Sequence, residues 1–276
     1  MDLSNENTLM IFATLVYGLA LLYSIFLWRK GFTKDDKVIL GMICLGFSFH
    51  SAALVIRAAE VQRCPINNLF EVTMFTSWII GLGFLLSAIW TKSRSHGPFI
   101  SPVIFSLSLM TLFPNVDDRS DSLTLEGWFI LHVPLILLSY GVFALAGVAS
   151  VMYLTHVHYL KYNKESVFWV RLPSITQLER AATILLYGGV VFLAIGLALG
   201  FSFLKVSTGS FISQDAKIFW SIGVLAGYLI LVFLHYFRGV RGRYLSWSII
   251  GLLIFVFSTF WAANLLSDIH NNPLQG

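Results

Sequence analysis

Seven histidines are spread along the 276 residues, and four of them stand inside or at the edge of long apolar runs. His132 lies near the start of W-F-I-L-H-V-P-L-I-L-L-S-Y-G, residues 128–141. His270 lies just past the last apolar run, His50 midway along the second and His235 near the end of the seventh. A neutral imidazole carries one nitrogen lone pair that suits a transition metal. An ionisable side chain at membrane depth is expensive and is usually there for a function. Phe47, His50, Leu54 and Arg57 follow the i, i+3, i+7 and i+10 positions of one helical face, which is expected to look inward. On that face a structural hydrogen bond suits His50 as well as ligation does. His235, followed by Tyr-Phe-Arg, suits an interfacial position as well as ligation. His96, His156 and His158 sit in or beside polar connections and read as solvated. The H-x-H of 156–158 does not place two ligands on one helical face.

The elements that must position these groups follow from composition. The chain is 57% hydrophobic and 12% charged, with mean hydropathy +0.78, whereas soluble domains carry about a quarter charged residues. Eight apolar runs approach or exceed the length that crosses a bilayer: Thr8–Trp28, Val38–Ala58, Val72–Trp90, Phe99–Phe113, Trp128–Thr155, Ala181–Leu204, Ile218–Phe237 and Tyr244–Ser267. The fourth is short and holds Pro102. The runs lack the alternation of a porin-type barrel. The first is too long for a signal peptide and has neither a basic leader nor a small-residue cleavage site. The expected fold is therefore an all-α integral membrane protein of about eight transmembrane helices, forming a single polytopic domain over 1–276.

Orientation follows from loop charge. Alternate loops hold Arg29, Lys30, Lys34 and Lys37; Lys92 and Arg94; Lys161, Lys164, Arg171 and Arg180; and Arg238, Arg241 and Arg243, which is 13 of the 18 basic residues. These loops are expected to be cytoplasmic, with both termini on the outer (periplasmic or extracellular) side of the plasma (inner) membrane. His132 and His270 then reach the same outer face from distant parts of the chain. They are either interfacial residues or a pair able to clamp a flat metal-bearing cofactor through its two axial positions. The net charge of +4 is scattered in short clusters between apolar runs, so a nucleic-acid partner is excluded and the lipid bilayer is the expected one. Cys44 and Cys64 are too far apart on a helix to pair; they read as a buried small side chain and a free loop thiol. Gly188, Gly189, Gly196 and Gly200 read as close-packing positions between helices. The chain holds none of the zincin, nucleophile-elbow, phosphate-loop or dinucleotide motifs.

Three stretches together resemble the CcsA-type (ResC/CcmC-like) cytochrome c assembly family over roughly residues 57–270. The first is R-A-A-E-V-Q-R-C-P-I-N-N-L-F-E (57–71), with Pro65, Asn68 and Glu71 in the family's P-x-x-N-x-x-E segment. The second is Trp128, His132 and Val133 followed by Ser139 and Tyr140. The third runs from His235 through a basic loop to A-A-N-L-L-S-D-I-H (262–270). The resemblance implies haem b as a transient cofactor, with His132 and His270 as axial iron ligands at the outer face and His235 as a ligand within the membrane. His50 is a further candidate. It also implies a CcsB/ResB-type membrane partner and an apocytochrome c acceptor in system II cytochrome c biogenesis. Any enzymatic role is at most that of the integral membrane subunit of a cytochrome c synthase (haem lyase) complex. The family's tryptophan-rich outer loop is reduced here to V-S-T-G-S-F-I-S-Q-D-A-K-I-F-W, in which Gly209, Asp215, Lys217 and Trp220 are the matching residues. That departure resembles the HemX/YpjD-like branch, and the alternative function is a non-catalytic membrane protein that regulates or scaffolds haem biosynthesis.

Overall fold

Helix is the only regular structure among the described residues, which in this computed structural model are 5–30, 36–62, 64–66, 68–90, 96–113, 131–161, 173–208 and 216–266. The elements are α1 (Asn5–Lys30), α2 (Asp36–Val61), α3 (Leu69–Trp90), α4 (Gly97–Met110), α5 (His132–Lys161), α6 (Ile175–Thr208), α7 (Ala216–Arg238) and α8 (Gly242–Leu266). In hydrocarbon every backbone polar group must be paired within the segment, which leaves these unbroken apolar sequences helical. Six of the helices are long and apolar enough to cross a membrane. The shorter apolar stretches are α4 and Gly242–Ser258 of α8. The 14 residues of α4 rise about 21 Å, less than the roughly 30 Å hydrocarbon core. Pro102 lies inside it without a donor for the carbonyl of Pro98, and the hydroxyl of Ser101 stands 3.4 Å from that oxygen instead.

The chain divides into two compact units, the first comprising residues 1–119 and 152–178 and the second 120–151 and 179–276. In the first unit α1 packs on α2 and α4, and α3 packs on α4 and α2. Hydroxyl pairs tie α1 to α4, Thr14 to Ser108 at 2.9 Å and Ser24 to Ser101 at 3.0 Å. The indole Nε1–H of Trp78 donates to Ser51 of α2 at 2.9 Å. The helical face bearing His50 and Arg57 does point inward: both side chains are buried, with Phe47 and Leu54 half-buried. Cys44 and Cys64 are free thiols, as their separation requires, but Cys44 is exposed rather than buried. It lies on the exposed side of an apolar helix, where a small apolar side chain is equally at home against lipid chains.

The second unit is built from the His132–Val151 part of α5, α6 from Glu179, α7 and α8. Its core joins Phe143, Ala146 and Ala149 of α5, Leu186, Val190, Leu193 and Leu197 of α6, Val224, Tyr228 and Leu231 of α7, and Leu245, Ile249 and Val256 of α8. Val224, Tyr228 and Leu231 recur at i, i+4 and i+7 and mark the buried stripe of α7. Its other face carries exposed Phe219, Ile222, Ile230, Phe233 and Phe237, the outward surface expected against lipid chains. The N-terminus of α6 is closed by a capping box: Ser174 Oγ accepts the Gln177 N–H and Gln177 Oε1 accepts the Ser174 N–H. α7 and α8 meet through a three-residue turn, 239–241, with Gly239 at φ +65° and Gly242 at φ +61° beyond it. Side chains other than Gly rarely take that backbone conformation.

Candidate functional site

The second unit presents imidazoles at two levels of α6. His132, the first residue of α5, places Nδ1 2.6 Å from the carbonyl oxygen of Gly196. A carbonyl only accepts, so Nδ1 carries the proton and Nε2 keeps its lone pair. The ring lies directly on Gly200, where a Cβ would collide with Cε1, Nδ1 and Nε2. Two glycines one turn apart on α6 therefore form the seat of this half-buried imidazole, one through its carbonyl and the other through its missing side chain. No hydrogen bond engages Nε2 among the described residues.

His235, in the last turn of α7, repeats the arrangement with different parts. Its Nδ1 is 2.8 Å from the carbonyl oxygen of Val240, so Nδ1 again donates and Nε2 keeps the lone pair. The ring edge meets Tyr187 of α6 at 6.0 Å between centroids. Its acceptor lies in the turn set by Gly239 and Gly242. The end of that turn is pinned to α6 by the N–H of Gly242, which donates to Glu179 Oε1 at 2.9 Å. Tyr187 and Gly196 are nine residues apart, so the two imidazole levels are separated by about 14 Å along α6. Between these levels the ring of Phe143 packs against Gly189 and stacks on Tyr228, centroids 3.7 Å apart and planes 3° from parallel. The Tyr228 hydroxyl is buried and has no hydrogen-bond partner among the described residues.

His50, in the first unit, is arranged differently. Nε2 faces the carbonyl oxygen of Met74 at 3.1 Å and so donates, while Nδ1 faces the Tyr17 hydroxyl at 3.5 Å and so accepts. Both ring nitrogens are engaged and the side chain is fully buried. Of the three described candidates, His132 and His235 offer an iron a lone pair, and His50 joins α1, α2 and α3.

Asn68 and Glu71 of the first unit serve a buried ionic cluster. Asn68 Oδ1 accepts the N–H of Glu71 at 2.8 Å, capping α3. The Glu71 carboxylate receives Arg57 Nε at 3.0 Å and Nη2 at 2.9 Å, and Arg57 Nη1 reaches Glu6 Oε1 at 2.9 Å. All three charged side chains are buried, and the guanidinium lies 5.3 Å from the centre of the Phe70 ring. Pro65 is buried just upstream. The first apolar run starts at Thr8 and does not include Glu6; α1 begins at Asn5, and the buried charge of Arg57 explains why a carboxylate is drawn in with it. Trp220 is described, partly exposed and edge-on to Phe255. Trp128, Asp215 and His270 lie outside the described residues. Among the described residues no cluster of three or more His, Cys, Asp or Glu could hold a bare metal ion, whereas a metal already held in a macrocycle needs only axial nitrogens.

These features define an all-helical integral membrane protein with metal-competent imidazoles at two levels of one helical unit. The chain belongs to the cytochrome C assembly protein family, whose model matches residues 66–270. It is similar to "Protein HemX" of Bacillus subtilis (strain 168), 25% identical over 273 residues covering 96% of both chains. It is also similar to "Protein HemX" of Brevibacillus brevis, 29% identical over 225 residues covering 80% of this chain and 82% of that one. "Cytochrome c biogenesis protein CcsA" of Trieres chinensis is 24% identical over 248 residues, covering 78% of this chain and 77% of that one.

Proposed function

We propose that this protein holds haem in the plasma membrane for cytochrome c biogenesis, with His132 and His270 as axial ligands at the outer face and His235 as a deeper ligand. The observation that carries this reading is the fixed tautomer at His132 and His235. In each, Nδ1–H is held by a backbone carbonyl and Nε2 keeps a lone pair, which is how ligating imidazoles are held in metal proteins. The residues fit the group: bound there, iron protoporphyrin supplies an electrophilic metal and vinyl groups able to accept cysteine thiols. The chain contributes imidazole nitrogens at fixed positions and apolar helices that exclude water. Both termini are placed on the outer side, a CcsB/ResB-type membrane protein completes the machine, and the acceptor is an apocytochrome c with its C-x-x-C-H thiols. Protein purified in detergent is expected to carry haem with a six-coordinate, low-spin absorption spectrum. His132→Ala and His270→Ala should each abolish the outer-site component. Spectra unaltered by both substitutions would overturn the assignment.

A second reading is favoured by the similarity to HemX along 96% of both chains and by the reduced tryptophan loop. In it the protein regulates or scaffolds haem biosynthesis and does not deliver haem. Co-expression with a CcsB-type partner and an apocytochrome separates the two. Covalent haem on the cytochrome, seen by peroxidase staining after denaturing electrophoresis, supports delivery. Haem-loaded protein with no stained cytochrome supports regulation.

A further inference from the structure

We propose that the turn joining α7 and α8 is an anion clamp for the two carboxylates of the tetrapyrrole held by His235, formed by Arg238, Arg241 and Arg243. This rests on the haem-handling reading above and adds the orientation of the bound group. The three guanidinium groups fall within six residues around one turn and are all exposed. None of the three forms an ion pair among the described residues, unlike Arg57, which pairs with Glu6 and Glu71. The carboxylate beside the turn, Glu179, accepts the Gly242 N–H instead of pairing with an arginine. Arg238 is three residues from His235 on the same helix, close enough for neighbouring side chains to share one ligand.

The composition of the turn is informative. Topological marking of a cytoplasmic loop is satisfied equally by Lys and Arg, and three other inner loops mix the two: Arg29 with Lys30, Lys92 with Arg94, and Lys161 and Lys164 with Arg171. This turn uses Arg alone. A guanidinium donates two parallel hydrogen bonds to one carboxylate, which a lysine ammonium does not. The same turn supplies the Val240 carbonyl that fixes His235. One short segment thus orients the metal ligand and offers counter-charges beside it. A flat dicarboxylate that places its metal on Nε2 and its acid groups on the turn leaves its uncharged edge to the apolar interior of the helices.

The test compares iron protoporphyrin IX with its dimethyl ester, which keeps the metal and ring and removes both negative charges. Each is titrated into detergent-purified, delipidated protein carrying His132→Ala, so that the Soret band reports the His235 level. The diacid is expected to bind at least about tenfold tighter than the diester, the scale of one charged hydrogen-bonded contact. Arg238→Gln, Arg241→Gln and Arg243→Gln together should bring the two within about threefold of each other, and the corresponding triple Lys variant should recover only part of the preference. Equal affinities in the protein with intact arginines overturn the clamp and leave haem binding standing. A preference that survives the triple Gln change overturns it too. A protein that binds neither ligand, with Soret traces flat, overturns the haem reading and the clamp with it.

Discussion

At His132 the decisive interaction is the one already made, Nδ1–H to the Gly196 carbonyl, because it decides which nitrogen is left for a metal. The seat is tight, and Gly200→Val should push the imidazole off α6. Haem retention through size-exclusion chromatography should then fall by about tenfold or more, a loss comparable to removing an outer-shell partner of a metal ligand; unchanged retention would show the contact to be incidental. The Tyr228 hydroxyl makes the opposite prediction. A buried hydroxyl without a partner costs about 1–3 kcal/mol, so Tyr228→Phe should raise the midpoint of thermal unfolding in detergent, and a lower midpoint would mean that the hydroxyl has a partner in the folded protein. Sequence placed His132 and His235 at the right ends of apolar runs. It did not separate them from His50, because the distinction lies in carbonyl and hydroxyl partners supplied by other segments: Gly196 for His132, and Tyr17 and Met74 for His50.

Among the elements, α1, α2 and α3 are held at one end by Arg57 between Glu6 and Glu71. Removing one partner of a buried ion cluster leaves uncompensated charge, at a cost of about 3–5 kcal/mol. Arg57→Leu, which strands two carboxylates, should therefore lower unfolding stability more than Asn68→Ala, which removes an N-cap worth about 1 kcal/mol. Thermal unfolding in detergent gives the order directly, and equal losses would contradict the cluster. The inward face of Phe47, His50, Leu54 and Arg57 was legible from helical spacing alone. So was the shortness of the fourth helix, from Pro102 and the length of its apolar run. The Glu6 contact was not, since a carboxylate before an apolar run looks solvated until the guanidinium that needs it is known to be 51 residues away. The start of α6 was open to a closer reading: S-I-T-Q at 174–177 is a capping-box pattern, and both of its hydrogen bonds are made.

On the scale of the whole molecule, the apolar composition carried the class, and the loop charges supply the proposed orientation. The orientation predicts that a reporter inserted within 162–170 is read from the cytoplasm and one fused after Gly276 from the outside; reversed readings would contradict the placement of His132 and His270. The proposed function requires that two histidine levels in one helical unit each take haem iron and that the buried His50 does not. The direct measurement is the haem-to-protein ratio of purified single variants, by pyridine haemochrome, after equal expression and loading. His132→Ala and His235→Ala should each lower the ratio by about half, and His50→Ala should leave the ratio per folded chain unchanged. A ratio that falls in His50→Ala while staying constant in His132→Ala and His235→Ala would contradict it.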